Sequence, residues 1–276
     1  MNEEMGIIAS KEERLQEAKG FTLMSDVFMS VALADIAACQ HVIRILMNNP
    51  DLTVIDVKTQ YTISKITSHD ARLDVLAEIT AVDSKNKLVN IEIQRMDTVD
   101  HARRTRFYGS MIDSEYLQKG KTYSELPDVY IFYISETDIW NCGKTVYDVI
   151  KTLNGQPYDD GIHIAYVNAA VNDGSAIAAL MQYFKSCDPG DDSQGELSKR
   201  VQDLKSDKEG EFMCELTQKW YNDGEKMARA NDIINIMDSF KVSIDSAMIS
   251  LKVPEAEKTF YVALVDNIKS GKVKSE

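Results

Sequence analysis

The nearly uninterrupted apolar run from Val129 to Ile134 is the strongest constraint on the fold. A strand of this composition is typical of the interior of a sheet whose two faces are both covered by other elements. The chain must therefore supply helices and further strands around this run. This requirement predicts a mixed α/β fold.

Apolar periodicity predicts the other elements of the core. Alternating apolar and polar residues indicate strands, and apolar residues that recur every three or four positions indicate helices. Ser25 or Asp26 can cap the first helix, and Gly120 can end the second. The predicted elements around the apolar run are a helix over 26–48, strands over 53–63, from about 72 and over 88–95, a helix over 99–119 and a strand over 162–167.

The C-terminal third of the chain is predicted to be acidic and helical. The stretch Cys187–Asp192 contains Pro and Gly and is the best candidate for a domain boundary. We therefore expect a polar N-terminal arm over 1–20, an α/β core over 21–187 and an acidic helical region over 188–276. Its last short helices, near 231–240, 243–251 and 255–269, are a candidate element for packing or for homo-oligomer formation.

The net charge limits the ways in which this chain can contact nucleic acid. The sequence has 31 basic and 44 acidic residues, a formal charge of −13. A chain this acidic cannot hold a nucleic acid through its overall field, so any contact must use a local basic patch. One such patch lies within twelve residues and consists of Arg95, Arg103, Arg104 and Arg106, with His101 among them.

Hydropathy and cysteine spacing argue against several other classes of protein. No run of about 18 apolar residues is present, so no membrane span is predicted. The acidic start Met1–Met5 does not resemble a signal peptide. No Cys-x-x-Cys pair occurs, which argues against a zinc ribbon, and we expect reduced thiols in the cytoplasm. The four cysteines are Cys39, Cys142, Cys187 and Cys214.

Acidic and amide side chains on two neighbouring strands form the candidate site. Asp74 and Glu92 both avoid the apolar faces of their strands, and Gln94 points to the same side as Glu92. A divalent cation such as Mg²⁺ would satisfy two carboxylates, and the backbone carbonyl of Ile93 is a further candidate ligand. Gln94 could then orient an attacking water. Metal-assisted hydrolysis of a phosphodiester is the chemistry that this pattern favours.

A plainer interpretation of the same pattern is a solvent-exposed strand face. Such a face carries Asp, Glu, Asn and Gln because it is wet, and the spacing between Asp74, Glu92 and Gln94 has a high rate of chance matches. From the residues alone, both interpretations remain open.

Several blocks of the sequence resemble the PD-(D/E)XK nuclease superfamily, and within it the recombination-promoting nuclease branch that is described as transposases. The blocks cover about 21–190 in the expected order. They include Asp26–Phe28, Arg72–Val75, Asn90–Arg95, Arg103–Tyr108, Ser110–Asp113, Gly120–Tyr123, Leu126–Pro127, Tyr130–Phe132, Asp160–Gly161 and His163–Asn168.

The resemblance implies a restriction-endonuclease-like core, made of a helix, three strands, a helix and a strand, followed by a helical C-terminal region. It implies a DNA endonuclease that depends on Mg²⁺ or Mn²⁺ and is linked to recombination or mobile elements. The family's catalytic acids correspond to Asp74 and Glu92. Gln94 stands where many members have Lys; a glutamine can position water but cannot help to deprotonate it.

The resemblance also implies roles for residues outside the strands. Asp26 matches an acid that often lies near the metal, although an N-cap is its more common structural role. The helix after the third strand matches one whose cations can hold phosphate. Alternatively, those cations only form a solvent-exposed face of the helix and bind no phosphate. The phosphate-binding candidates are Arg103, Arg104, Arg106 and Tyr108.

The spacing between the two acids departs from the family's usual pattern. Ile79–Val82 looks like an insertion of four residues. A tight hairpin through 83–87 would then place Glu78, not Asp74, opposite Glu92, whereas a bulge or a wider loop would restore the usual pair. Glu78 is therefore a rival or additional metal ligand.

Two functional hypotheses follow. The first is a cytoplasmic, metal-dependent DNA endonuclease with Asp74, Glu92 and Gln94 as its catalytic residues. The alternative is a catalytically inactive protein with a nuclease fold, which acts as a DNA-binding or oligomeric interaction module. The acidic charge and the absent Lys keep the alternative open.

Overall fold

The computed structural model describes residues 19–63, 71–80, 86–94, 100–117, 119–206, 226 and 228–269. The predicted arm over 1–20 and the turn over 83–87 therefore lie largely outside the described residues. The chain divides into two compact units, Met1–Glu211 and Phe212–Glu276.

A six-stranded sheet forms the centre of the first unit, in the order β1-β2-β3-β4-β8-β5. Strands β1, β2 and β3 are antiparallel neighbours, whereas β3, β4 and β8 run parallel. The predicted central strand is β4, and the α/β prediction is confirmed. The strands are β1 Thr53–Ile63, β2 Ala71–Thr80, β3 Asn86–Gln94, β4 Asp128–Ser135, β5 Val146–Asp148, β6 Thr152–Leu153, β7 Gln156–Pro157 and β8 Ile162–Asn168.

Helices complete both units. A short 3-10 helix, Tyr123–Glu125, precedes β4. The α-helices are α1 Asp26–Leu33, α2 Ile36–Leu46, α3 His101–Tyr116, α4 Ala176–Ser186, α5 Glu196–Leu204, a helix over 228–240 that we label α6, α7 Ile244–Ser250 and α8 Glu255–Lys269.

The prediction of one long first helix over 26–48 is wrong. The segment forms two helices, α1 and α2, with a bend of 108° between them. Asp35 causes the break, because its backbone is extended and its side chain accepts a hydrogen bond of 2.9 Å from the Ala38 N–H. An aspartate that caps a new helix competes with continuation of the old one.

The register between β2 and β3 decides which acid faces Glu92. Val75 pairs with Ile91, and the ladder continues to Thr80 opposite Asn86. Glu78 therefore lies opposite Leu88. The alternative register, with Glu78 opposite Glu92, is wrong. One step beyond the last pair, the same register brings Asp74 opposite Glu92.

Helix α3 packs tightly on one face of the sheet. Tyr108, Met111 and Ile112 of this helix join a buried cluster with Leu76 and Leu88 of the strands. At Gly109, an added Cβ would lie 3.4 Å from Ile162 Cδ1 and 3.5 Å from Ile131 Cδ1. The glycine thus lets the helix backbone approach the sheet. The helix ends at Tyr116, before the predicted end at Gly120.

Short elements between β4 and β8 escaped the sequence analysis. Strand β5 has three residues and pairs antiparallel with β8. Strands β6 and β7 form a hairpin around Asn154 and Gly155, whose φ angles are +51° and +80°. Asn-Gly at a two-residue turn is a strong hairpin signal, so this element was detectable from the sequence.

The first unit extends past the predicted boundary at 187/188. Helix α5 buries Leu197, Val201 and Leu204, and it packs against α1 and α2. Just after it, the Lys205 ammonium donates to the backbone carbonyls of Cys187 and Lys19. Packing therefore places α5 with the core, and the division between the compact units falls at 211/212.

The second unit contains the predicted short C-terminal helices. Helices α6, α7 and α8 share a buried apolar cluster, which explains their amphipathic sequences. Its buried members are Ala230, Ile233, Ala247, Met248, Val253, Tyr261 and Val265.

Two further predictions concern membranes and thiols. In the described part of the chain, no single helix is long and apolar enough to cross a membrane, and only the bent pair α1–α2 satisfies length and composition when taken together. Cys39, Cys142 and Cys187 are free thiols. Cys214 lies outside the described residues.

We expect the loss of stability caused by a substitution at Gly109 to increase steeply with the size of the new side chain. Gly109→Ala should change the free energy of unfolding by no more than about 1 kcal/mol, because its contacts are at van der Waals distance and Ala favours the helix. Gly109→Leu should lower it by roughly 1–3 kcal/mol or more through overpacking. Urea denaturation measures both.

Ser110→Leu is the matched control, since Ser110 is the next residue of α3 and is exposed. This variant should unfold near the wild-type midpoint. Equal losses for the leucines at 109 and 110 would contradict the close approach of α3 to the sheet.

Candidate active site

Asp74 and Glu92 face each other where β2 and β3 stop pairing. The Asp74 N–H donates to Glu92 Oε1 over 3.2 Å, and the Ile93 N–H donates to Asp74 Oδ2 over 2.9 Å. Each carboxylate is therefore held by the backbone of the opposite strand. These reciprocal contacts continue the ladder beyond its last backbone pair, Val75–Ile91.

Both carboxyl groups are poorly solvated and close enough to repel. Glu92 is 3% exposed. Burial, followed by the charge of Asp74, raises the pKa of Glu92 well above its usual value. Burial also raises the pKa of Asp74 to about 6, with a further increase from Asp26 and opposing effects of the Ile93 hydrogen bond and Arg104. The pair thus carries a charge that its surroundings only partly compensate.

The donor set fits a small divalent cation. Mg²⁺ binds through one or two carboxylates and completes its shell with waters and phosphate oxygens. Asp74 and Glu92 supply the carboxylates, and the Ile93 carbonyl lies on the strand edge whose N–H already contacts Asp74. Among the described residues, no group of three His, Cys, Asp or Glu side chains is arranged to hold a metal by itself.

Gln94 is positioned by α3. Its Oε1 accepts a hydrogen bond of 2.9 Å from Arg104 Nη1. Arg104 Nε in turn donates to the Tyr108 hydroxyl over 2.7 Å. The positive charge of Arg104 lowers the pKa values of both Asp74 and Glu92. An arginine from the helix therefore brings its positive charge beside Gln94.

Asn90 completes the buried polar strip of β3. It is fully buried two residues before Glu92 on the same strand face. Its amide lowers the pKa of Glu92. A buried amide without any polar neighbour would be costly, so Asn90 and Glu92 compensate each other's burial.

Of the two additional candidate metal ligands, Asp26 lies near the acidic pair and Glu78 does not. Asp26 lies at the start of α1, and its charge raises the pKa of Asp74, so it is near the pair. Ser25, not Asp26, occupies the N-cap position of that helix. Glu78 lies four residues along β2 from Asp74, about 13 Å at the rise of a strand. Its charge instead raises the pKa of Tyr116. Glu78 is thus not brought to Glu92.

The predicted phosphate-binding residues fall into two groups. Arg103 and Arg106 are exposed on α3. Arg104 and Tyr108 instead face the interior, where they bind each other, and Tyr108 is 5% exposed. Tyr108 therefore supports Arg104 and offers no open surface to a phosphate. Arg95 lies outside the described residues.

Sequence reasoning did not foresee that Arg104 binds Gln94 or that Asn90 belongs to the site. Two signals were available. Arg104 and Tyr108 are four residues apart on a helix, which puts them on one face. Asn90 alternates with Glu92 and Gln94, which puts all three on one side of β3.

Removing one charge of the pair should stabilise the metal-free protein near neutral pH. The folded carboxyl groups keep protons to a higher pH than the unfolded ones, so their contribution is present below pH 4 and is lost as pH rises to 6 and beyond. Asp74→Asn and Glu92→Gln should therefore raise Tm at pH 7.5 in EDTA by a few degrees, for a gain on the order of 1–3 kcal/mol.

The same variants should show a smaller fall in Tm between pH 5 and pH 7.5 than the wild type. Asp192→Asn removes an exposed acid and is the matched control. If Asp74→Asn and Glu92→Gln behave like this control in differential scanning calorimetry, the buried repulsion does not exist.

The site lies within a stretch that matches a known family. Residues 44–176 match the family described as PD-(D/E)XK nuclease family transposase, as the resemblance predicted. Comparisons with curated proteins and with solved structures found no match. The matched range contains the whole six-stranded sheet and the Asp74–Glu92 pair, but not Asp26. Over residues 44–176, just under half of its length, the chain is similar to the PD-(D/E)XK nuclease family transposases.

Proposed function

We propose that this protein is a metal-dependent endonuclease that hydrolyses phosphodiester bonds in DNA. The observation that supports this proposal most is the buried Asp74–Glu92 pair beside Gln94 and Arg104, within a domain of a nuclease family. A wet strand face would not bury two carboxylates against each other.

Asp74, Glu92 and the Ile93 carbonyl would hold Mg²⁺ or Mn²⁺, with Asp26 as a nearby negative charge. The cation, when bound, would lower the pKa of an attacking water and stabilise charge on the phosphate. The chain's own contribution is to present two carboxylates fixed by backbone hydrogen bonds, so that they need little rearrangement on binding.

Gln94 and Arg104 would act on the scissile phosphate and on water. The Gln94 carbonyl oxygen is engaged by Arg104, which orients the amide NH₂ group as a donor toward a water or a phosphate oxygen. An amide neither gains nor loses a proton near neutral pH, so Gln94 would position a water or phosphate and would not act as a base. Arg104 supplies positive charge beside the developing negative charge.

We further propose that the reaction takes place in the cytoplasm and serves recombination or mobile elements. The family's transposase description supports the second point. The free thiols of Cys39, Cys142 and Cys187 agree with a reducing compartment.

Plasmid nicking in Mg²⁺, Mn²⁺, Ca²⁺ or EDTA tests the proposed chemistry. Wild-type protein should nick with Mg²⁺ or Mn²⁺ and not with EDTA. Glu92→Gln keeps the side-chain volume and an acceptor for the Asp74 N–H, but it removes a ligand charge. We expect its nicking rate to fall about a hundredfold or more, while DNA binding persists because repulsion from phosphate decreases.

Asp192→Asn serves again as the control and should nick like wild type. A wild-type protein that binds DNA but never nicks it with any of these cations would favour the alternative, a catalytically inactive nuclease fold that acts as a binding module. Equal nicking by Glu92→Gln would remove Glu92 from the mechanism.

The exposed arginines of α3 should contribute to DNA affinity through phosphates. Replacing Arg103 and Arg106 together by Ala should lower affinity for duplex DNA and reduce the slope of log K against log salt by about two, since each phosphate contact contributes about 0.9. Arg104 is left intact because it holds Gln94.

Lys199→Ala removes an exposed cation of α5 and is the matched control. Fluorescence anisotropy over a salt series measures the slopes. An unchanged slope in the double variant would show that Arg103 and Arg106 are only solvated.

A further inference from the structure

Trp140 is a large aromatic side chain that is partly exposed. It follows β4 and is 41% exposed. Its indole meets the His101 ring at a centroid distance of 4.8 Å and the Tyr166 ring at 5.5 Å. Both contacts are edge-type, with interplanar angles of 87° and 79°, so neither ring is stacked parallel on the indole.

The loop that presents Trp140 is internally fixed. The Asp138 carboxylate accepts hydrogen bonds from the backbone N–H groups of Trp140 and Gly143. It also accepts a hydrogen bond of 2.7 Å from the Tyr147 hydroxyl of β5. An exposed aromatic ring on an ordered loop loses little conformational entropy on binding a ligand.

This aromatic group adjoins the proposed active site. Tyr133 of β4 is in register with Glu92 of β3. The Tyr133 ring lies 6.4 Å from the His101 ring, which contacts Trp140. His101 begins α3, and Arg104 follows one helical turn later. Aromatic rings and cations thus share one end of the helix next to the acidic pair.

We propose that Trp140, supported by His101, stacks an unpaired base of the DNA strand that the active site cleaves. Stacking on exposed aromatic rings beside basic groups is how proteins hold single-stranded DNA without reading its sequence. The inference rests on the proposed endonuclease function. It adds that the preferred substrate is single-stranded or locally unpaired next to the cut.

Oligonucleotide binding in EDTA tests the stacking without any cleavage. The chain has two tryptophans, Trp140 and Trp220, so Trp220→Phe makes Trp140 the sole indole. Its fluorescence should be quenched by a single-stranded oligonucleotide and much less by the same strand with abasic sites. Because this measurement leaves Trp140 unchanged, it does not depend on how well a Trp140 variant folds.

Affinity measurements on variants complete the test. Trp140→Ala should bind the single strand at least about fivefold more weakly, the smaller end of the effect of losing one stacked base. Trp140→Phe should retain most of the affinity. Tyr123→Ala is the control, because Tyr123 is 83% exposed and precedes β4, whereas Trp140 follows it. Trp140→Ala should not distinguish intact from abasic strands, whereas the wild type, Trp140→Phe and Tyr123→Ala should.

The outcomes separate the two proposals. Nicking by wild type with unchanged binding by Trp140→Ala overturns the stacking inference alone. Trp140-dependent binding without nicking supports the stacking site and contradicts the endonuclease function. Failure of the wild type to bind any oligonucleotide, or a quench that abasic strands reproduce, overturns the stacking inference whatever the nicking assay gives.

Discussion

Two carboxylates that repel each other, Asp74 and Glu92, are held together by the backbones of two strands that have begun to diverge. The reciprocal hydrogen bonds from the Asp74 and Ile93 N–H groups are what make this possible. In water the two groups would separate. The sheet instead keeps them adjacent where β2 and β3 stop pairing, and there burial and mutual repulsion raise the pKa values of both carboxyl groups.

The rest of the site follows from that constraint. Helix α3 comes close to the sheet at Gly109 and so brings Arg104 to Gln94 at the edge of the acidic pair. The guanidinium offsets part of the negative charge and at the same time holds the glutamine amide. Charge from the helix and an oriented amide from the strand thus meet beside the acidic pair.

Local sequence signals predicted most of the sheet and the two acids. Alternation along β3 put Glu92 and Gln94 on one face, and the apolar β4 was recognised as an interior strand. The β2–β3 register depends on the conformation of the connecting loop, which the sequence alone does not fix, so the sequence allows either Asp74 or Glu78 as the partner of Glu92. The bend at Asp35 was missed because apolar periodicity continues through it, while the capping hydrogen bond depends on tertiary context. The hydrogen bond from Arg104 to Gln94 was not predicted, since helix periodicity does not show how closely a helix approaches its sheet.

The hydrogen bonds of the Lys205 ammonium bear on how this protein can evolve. By bridging the carbonyls of Lys19 and Cys187, it joins the first described residues to the end of α4 and closes the first unit before Phe212. Every residue assigned to the site lies upstream of this closure. Gene fusions or deletions that exchange the segment after 211 would therefore leave the chemistry-bearing residues intact.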